Sequence, residues 1–174
     1  MAADATHYPE PTEYAPYYRT YVSLVPKEDI LATLNQQKDE TLRLLRSIPE
    51  SREQFRYAPG KWSIRELVGH VIDAERVFSY RALRMSRNDK TPLPGFEQEP
   101  YIQFGNYDAH PLAGLAEEFS VVRQATILLF THLTEEAWLR RGVASNAEVS
   151  VRALAYIIAG HELHHMNVLR TKYL

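Results

Sequence analysis

Residues 150–168 read SVRALAYIIAGHELHHMNV. Val151, Leu154, Ile158, His161, His165 and Val168 recur at alternating steps of three and four. That is the period of a single helix face and makes a heptad-like seam. Ser150 stands where an N-cap belongs. The stretch therefore predicts a helix that buries one face, with two histidines at core positions near its end. His161 and His165 stand four apart, which stacks two imidazoles on one face about one turn from each other. His164 falls on the flank. Leaving two buried imidazoles without partners costs about 2–7 kcal/mol each on the harsher transfer scales. A metal ion removes that cost, and so do hydrogen bonds to Tyr or Asp.

Three more helices can be read upstream. The first is expected from just after Pro26 to about Ser47, with Ile30, Leu34, Leu42 and Leu45 as its stripe. The second opens at Ser63-Ile64-Arg65-Glu66, a capping box, and runs to about Arg87. Leu67, Val71, Ala74 and Phe78 face inward, and His70 lies beside them. The third is expected from about Pro111 to His132, with Leu115, Phe119, Val122, Ile127 and Phe130 inward. Between the second and third, residues 88–111 carry four prolines, two glycines and the aromatics Phe96, Tyr101, Phe104 and Tyr107. A connection this long inside a domain is often functional, and this one has enough apolar surface to serve as a lid or crossover. Thr134-Glu135-Glu136 reads as a short extra turn, Trp138 as a plug of the bundle end, and residues 139–149 as a loop with some extended structure. Four helices with one long crossover predict an all-α four-helix bundle of up-down-down-up topology over residues 26–174. Residues 1–25, with four tyrosines between Pro9 and Val22, are expected as an extended N-terminal arm, part of which walls a cleft.

Bulk properties narrow the function. A chain of 174 residues fits one domain with a proper core. A net charge of −2 offers no basic field for nucleic acid. Arg76, Arg81, Arg84 and Arg87 read first as a solvated helix face with local ion pairs, and second as a patch for a phosphate or an acidic substrate. With no cysteine, disulfides, thiolate ligands and a cysteine nucleophile are all excluded. No signal pattern or membrane-length apolar run is legible, so a soluble cytoplasmic protein without a membrane partner is expected.

His70 extends the histidine pair. Bundle sites are built from inward side chains on facing helices. His70, His161 and His165 would give three nitrogens plus an open position, the pattern of a catalytic metal site for Zn, Ni, Cu or Fe. His7, His110 and His132 read as surface or loop residues. The run also matches His-Glu-x-x-His of metalloproteases. Too little chain remains for a downstream third ligand, and Glu162 would point about 100° away from the ion, so it is expected to be solvated or to sit behind the ligands. Asp73 and Glu66, one turn either side of His70, are candidates for orienting a ligand ring or serving as a catalytic base.

Trp62 to His70 (WSIRELVGH), Pro94 to Glu99 (PGFEQE), and Ser150 to Leu154 leading into His161 to His165 together resemble the DinB-like superfamily of bacterial metal-binding four-helix bundles. The resemblance covers most of the chain from about residue 20. It implies an up-down-down-up bundle, often a homodimer, with a divalent ion on His70, His161 and His165, Zn or Ni foremost. Relatives include proteins called metal-dependent hydrolases and transferases or isomerases that use bacillithiol, mycothiol or glutathione. Three functions are thus expected to compete. In the first, a low-molecular-weight thiol cosubstrate is activated for transfer to a small electrophile. In the second, activated water hydrolyses a small-molecule substrate, with Asp73 or Glu66 as base. In the third, a closed shell including His164 or a carboxylate makes the metal structural in a non-enzymatic stress-response protein.

Overall fold

The computed structural model describes residues 7–174. Its helices are α1 (Arg19–Val22), α2 (Ile30–Arg46), α3 (Ile64–Ser86), α4 (Gln98–Gly105), α5 (Leu112–Thr131), α6 (Glu135–Leu139) and α7 (Val151–Val168). A two-stranded hairpin, β1 (Arg141–Ala144) and β2 (Ala147–Ser150), precedes α7. The chain is thus an all-α four-helix bundle of α2, α3, α5 and α7 with one small hairpin added. In cross-section α3 packs on α5 and α7, and α2 packs on the same two helices. Among the described residues no helix is long and apolar enough to cross a membrane.

The helix starts follow from local chemistry. Asp29 accepts from the Ala32 amide to begin α2. Ser63 and Glu66 close a full capping box at α3, and Ser150 Oγ accepts from the Ala153 amide at α7. Thr134 caps α6, and Trp138 stacks on Phe130 at 5.1 Å between ring centroids. The segment expected to be loop with some extended structure is the hairpin. Ser145 and Asn146 both have positive φ, which suits a tight two-residue turn matched to strand twist. The crossover is pinned to it: Leu93 donates to the Val143 carbonyl and accepts from the Ser145 amide. Within the crossover, α4 and a 3-10 turn at Tyr107–Ala109 replace a structureless stretch.

Two sequence expectations are corrected. Of the expected arm, residues 1–6 lie outside the described residues. Residues 11–22 are not extended: they fold into two 3-10 turns and the short helix α1, laid along α7. The cause is anchoring. Glu13 is buried, receiving Ser150 Oγ at 2.6 Å and the Arg152 guanidinium, while Gly160 lets the α1 backbone settle on α7. A Cβ at Gly160 would meet the Tyr21 carbonyl oxygen at 2.1 Å. The second correction concerns Glu162, which is neither solvated nor behind the histidines. Every residue from Ala153 to Glu162 is buried, because α1, α2 and α3 enclose α7 on several sides.

Glu162 points instead into a polar cluster at the bundle centre. Arg123 of α5 is fully buried and grips Glu75 of α3 through two 2.8 Å hydrogen bonds. Its Nη1 lies 2.7 Å from Glu162 Oε2, an ion pair rather than an aligned hydrogen bond. Thr41 of α2 donates to Glu162 Oε1 at 2.5 Å. Burial pushes the Glu162 carboxyl upward, and Arg123 and Thr41 pull it back only partly. One cation thus faces two carboxylates, with all four bundle helices around it.

Arg123→Met would leave Glu75 and Glu162 buried without their cation. The expected loss is about 3–5 kcal/mol in urea unfolding, the range for breaking a buried ion pair from one side. A loss below about 1 kcal/mol would mean that the cluster contributes little.

Candidate metal centre

His70 comes from the second turn of α3, and His161 and His165 from successive turns near the end of α7. Because α3 and α7 pack along each other, the three imidazoles converge. His70 Nε2 is 3.1 Å from His161 Nε2, which is 3.2 Å from His165 Nε2. One ligating atom from each residue lies within 4.8 Å of the others. At those separations a single ion between the rings is sterically natural, and in its absence the nitrogens have one another as partners. Burial pushes the His70 imidazole down to about 4 and the His165 imidazole down to about 3, and it drives His161 lower than its ordinary value as well; neighbouring imidazoles add to each shift. All three are therefore neutral at physiological pH, the form that donates a lone pair. Position, burial and donor chemistry fit one divalent transition ion.

The surroundings are aromatic. The Trp62 ring lies 4.8 Å from that of His70, and the Tyr21 ring 5.3 Å from that of His161. The Phe78 ring lies edge-on to that of His161, with 5.8 Å between centroids. Two cavities flank the histidines. One, of about 410 Å³, is lined by His70 and His161 with Tyr17, Tyr18, Phe78 and Phe96. The other, of about 280 Å³, is lined by His164 and His165 with Tyr57, Lys61, Trp62 and Tyr173. Gln98 at the start of α4 borders both.

The remaining candidates lie elsewhere. Asp73 accepts a short hydrogen bond from Tyr107, whose ring packs over Gly69, and lies 3.8 Å from Arg76. Burial raises its carboxyl, against the pull of Tyr107. Glu66 is held by the capping box and by Arg56. Neither carboxylate is brought against the histidines. His164 stays on the flank, its ring 5.0 Å from His165 and 5.4 Å from Tyr21. His7, His110 and His132 are exposed. Sequence reading passed over Tyr21 as an individual and the position of Trp62 against His70. The placement of Tyr21 depends on Gly160, a glycine inside an apolar helix whose missing Cβ admits the Tyr21 backbone.

A four-helix bundle that gathers three neutral imidazoles between two facing helices has relatives among known proteins. The chain belongs to the DinB superfamily, whose family pattern matches residues 5–169. A curated relative from Oceanobacillus iheyensis, named "Putative metal-dependent hydrolase OB0413", is 30% identical over 149 residues, covering 80% of this chain and 82% of that one. YfiT from Bacillus subtilis, described as a probable metal-dependent hydrolase with an unusual four-helix bundle topology, superposes with a TM-score of 0.72 at 13% identity, over 97% of each chain. A mycothiol-dependent maleylpyruvate isomerase superposes with a TM-score of 0.67 at 14% identity, over 84% of this chain and 62% of that one. At such identities the two structures share the fold.

The docking of α1 on α7 generates a prediction. Gly160→Ala would push the Tyr21 backbone off α7 at an expected cost of about 1–3 kcal/mol. Amide exchange at residues 19–25 should accelerate more than exchange in α5. Unchanged exchange there would mean that α1 is not held at this contact. Glu13→Gln probes the same anchor by pH. Hydrogen bonds from Arg152 and Ser150 outweigh burial and hold the Glu13 carboxyl below its ordinary 4.5. Its stabilising contribution is present above that value and fades as pH falls through the lower folded value. The wild-type advantage over the variant should therefore shrink on acidification across that window.

Proposed function

We propose that His70, His161 and His165 hold one divalent transition metal, Zn or Ni, with a position left open. We further propose that the protein is a metal-dependent enzyme joining a low-molecular-weight thiol to a small electrophile. A divalent ion held there supplies Lewis acidity, making a thiol or a water molecule that reaches it nucleophilic near neutral pH. The observation that carries the transfer reading is the pair of cavities meeting at the histidines. Two chambers suit two substrates, one bringing sulfur and the other the carbon it attacks. The lack of cysteine is no obstacle, because the cosubstrate brings the sulfur.

The protein's own residues position and enclose. Tyr17, Tyr18, Phe78 and Phe96 offer apolar and aromatic walls for the electrophile. Lys61 and the phenols of Tyr57 and Tyr173 line the second chamber, where a polar thiol cosubstrate would be recognised. Trp62 and Tyr21 pack against the rings of His70 and His161 and restrict water. In the transfer step the thiol gives its proton to solvent and its sulfur bonds to carbon; the electrophile releases its leaving group as an anion, or its C=C π bond breaks and the carbanion takes up a proton from solvent.

Hydrolysis is the second reading, favoured by the 30%-identical relative named as a hydrolase. A base for it would come from Glu97 or Glu99 on the cavity walls, because the carboxylates singled out from sequence are engaged. Asp73 is taken by Tyr107, Glu66 by Arg56 and its cap, and Glu162 by Arg123. A purely structural metal would call for a fourth protein ligand, and His164 lies outside the converging group.

Protein isolated without chelators or a histidine tag should contain close to one equivalent of metal by mass spectrometry. His70→Ala and His165→Ala should each lose it. Consumption of monobromobimane above the uncatalysed rate should require both metal and added thiol. Ester turnover without thiol would move the assignment to hydrolysis. A wild-type protein that takes up neither Zn nor Ni would remove both enzymatic readings.

A further inference from the structure

The four arginines from Arg76 to Arg87, on α3 and its C-terminal cap, do not share one role. Arg76 pairs with Glu118, and Arg84 with Asp89. Arg87 is exposed and reaches Ser86 Oγ. Arg81 differs from all three: it is 2% exposed, and among the described residues it forms no ion pair with any carboxylate. The other buried arginine, Arg123, faces two. Burying a cation without a counter-charge is costly, so one placed on a cavity wall leaves a position for an anion.

The hydrogen bonds of Arg81 point the same way. Nη2 donates to the Pro94 carbonyl at 2.9 Å and to Ser145 Oγ at 3.0 Å, which uses both of its hydrogens. Those bonds fix the guanidinium between the crossover and the hairpin tip. Nε and Nη1 have no protein partner among the described residues, and neither is a sealed polar atom. Arg81 lies on the wall of the 410 Å³ cavity that holds His70 and His161. One aromatic ring links it to the histidines: Phe78 is 5.7 Å from the Arg81 guanidinium carbon and 5.8 Å from the His161 ring. Arg81 stands eleven residues after His70, which returns to the same helix face within about 20°.

We infer that Arg81 binds the carboxylate of a small aromatic acid whose ring packs among Tyr18, Phe78 and Phe96. The inference rests on taking this cavity as the electrophile's chamber and specifies its substrate class as a monocarboxylate. Glu97 lines the same cavity without pairing to Arg81, and its charge disfavours a second acidic group on the ligand. The carboxylate accepts from Nη1, whose hydrogens have no protein partner among the described residues, leaving the rest of the molecule directed along Phe78 toward the histidines.

Isothermal titration of the full chain with phenylacetate and with phenylacetamide tests this, on protein as isolated and after chelator treatment, with helicity checked by circular dichroism. Phenylacetate should bind both preparations saturably and at least about tenfold more tightly than the amide, as for hydrogen bonds to a charged group. Arg81→Gln should abolish that preference, and Arg81→Lys should keep part of it. If Arg81→Gln does not fold, the wild-type comparison and Arg81→Lys decide. Absence of saturable binding, equal affinity for acid and amide, or a preference that survives Arg81→Gln would overturn the proposal and leave Arg81 as a tie between Pro94 and Ser145. Binding that vanishes on chelation would also overturn it, since the acid would then be seated on the ion. A protein isolated without metal that takes up neither Zn nor Ni, yet prefers the acid through Arg81, would refute the metal reading alone.

Discussion

The Arg123 cluster sets the rotation of α7, and the rest of the site depends on that rotation. Arg123 lies in α5, Glu75 in α3 and Glu162 in α7, while Thr41 of α2 closes the ring. A helix buried on nearly every side has little preference among rotations if its faces are all apolar. Glu162 breaks that degeneracy, because its carboxylate has one place where a cation and a hydroxyl both meet it. His161 is its neighbour in sequence and projects about 100° away. Fixing Glu162 toward α5 therefore aims His161 and His165 at His70 of α3. The charged centre and the three imidazoles are two consequences of one helix orientation.

Where sequence and structure agree, the signal is local. The caps at Ser63 and Ser150, and the four-residue step from His161 to His165, involve neighbours within a turn. Their geometry follows from the helix alone. The seam through Val151, Leu154 and Ile158 was legible for the same reason. Glu162 was misread because its partner is remote in sequence: a lone arginine within α5 resembles a surface residue until the helices are assembled. Residues 11–22 were misread similarly. A run with prolines and tyrosines has weak helix propensity, and its folded form depends on Glu13 finding Ser150 and Arg152 far along the chain. The cluster of arginines on α3 could be given two meanings from sequence, and packing divided them, with Arg84 going to an acidic neighbour and Arg81 to a cavity wall.

The site is a junction of segments that contribute little to the bundle itself. The segment before α2 supplies Tyr17, Tyr18 and Tyr21, the crossover supplies Phe96 and Gln98, and the hairpin supplies Ser145. Each is fastened by polar contacts at its base: Glu13 to Ser150, Leu93 to the hairpin backbone, and Ser145 to Arg81. The bundle thus furnishes the three imidazoles while the connections furnish the cavity walls. Such a division lets the cavity walls change by altering connections without disturbing the helices.

The two tryptophans occupy opposite environments. Trp138 is buried and stacked on Phe130, while Trp62 is half-buried with its ring against His70 and its carbonyl accepting from Tyr173. Their emission should differ in wavelength and in access to quenchers. The half-buried indole beside the imidazole makes occupancy of the site visible as light, without any label attached to the chain.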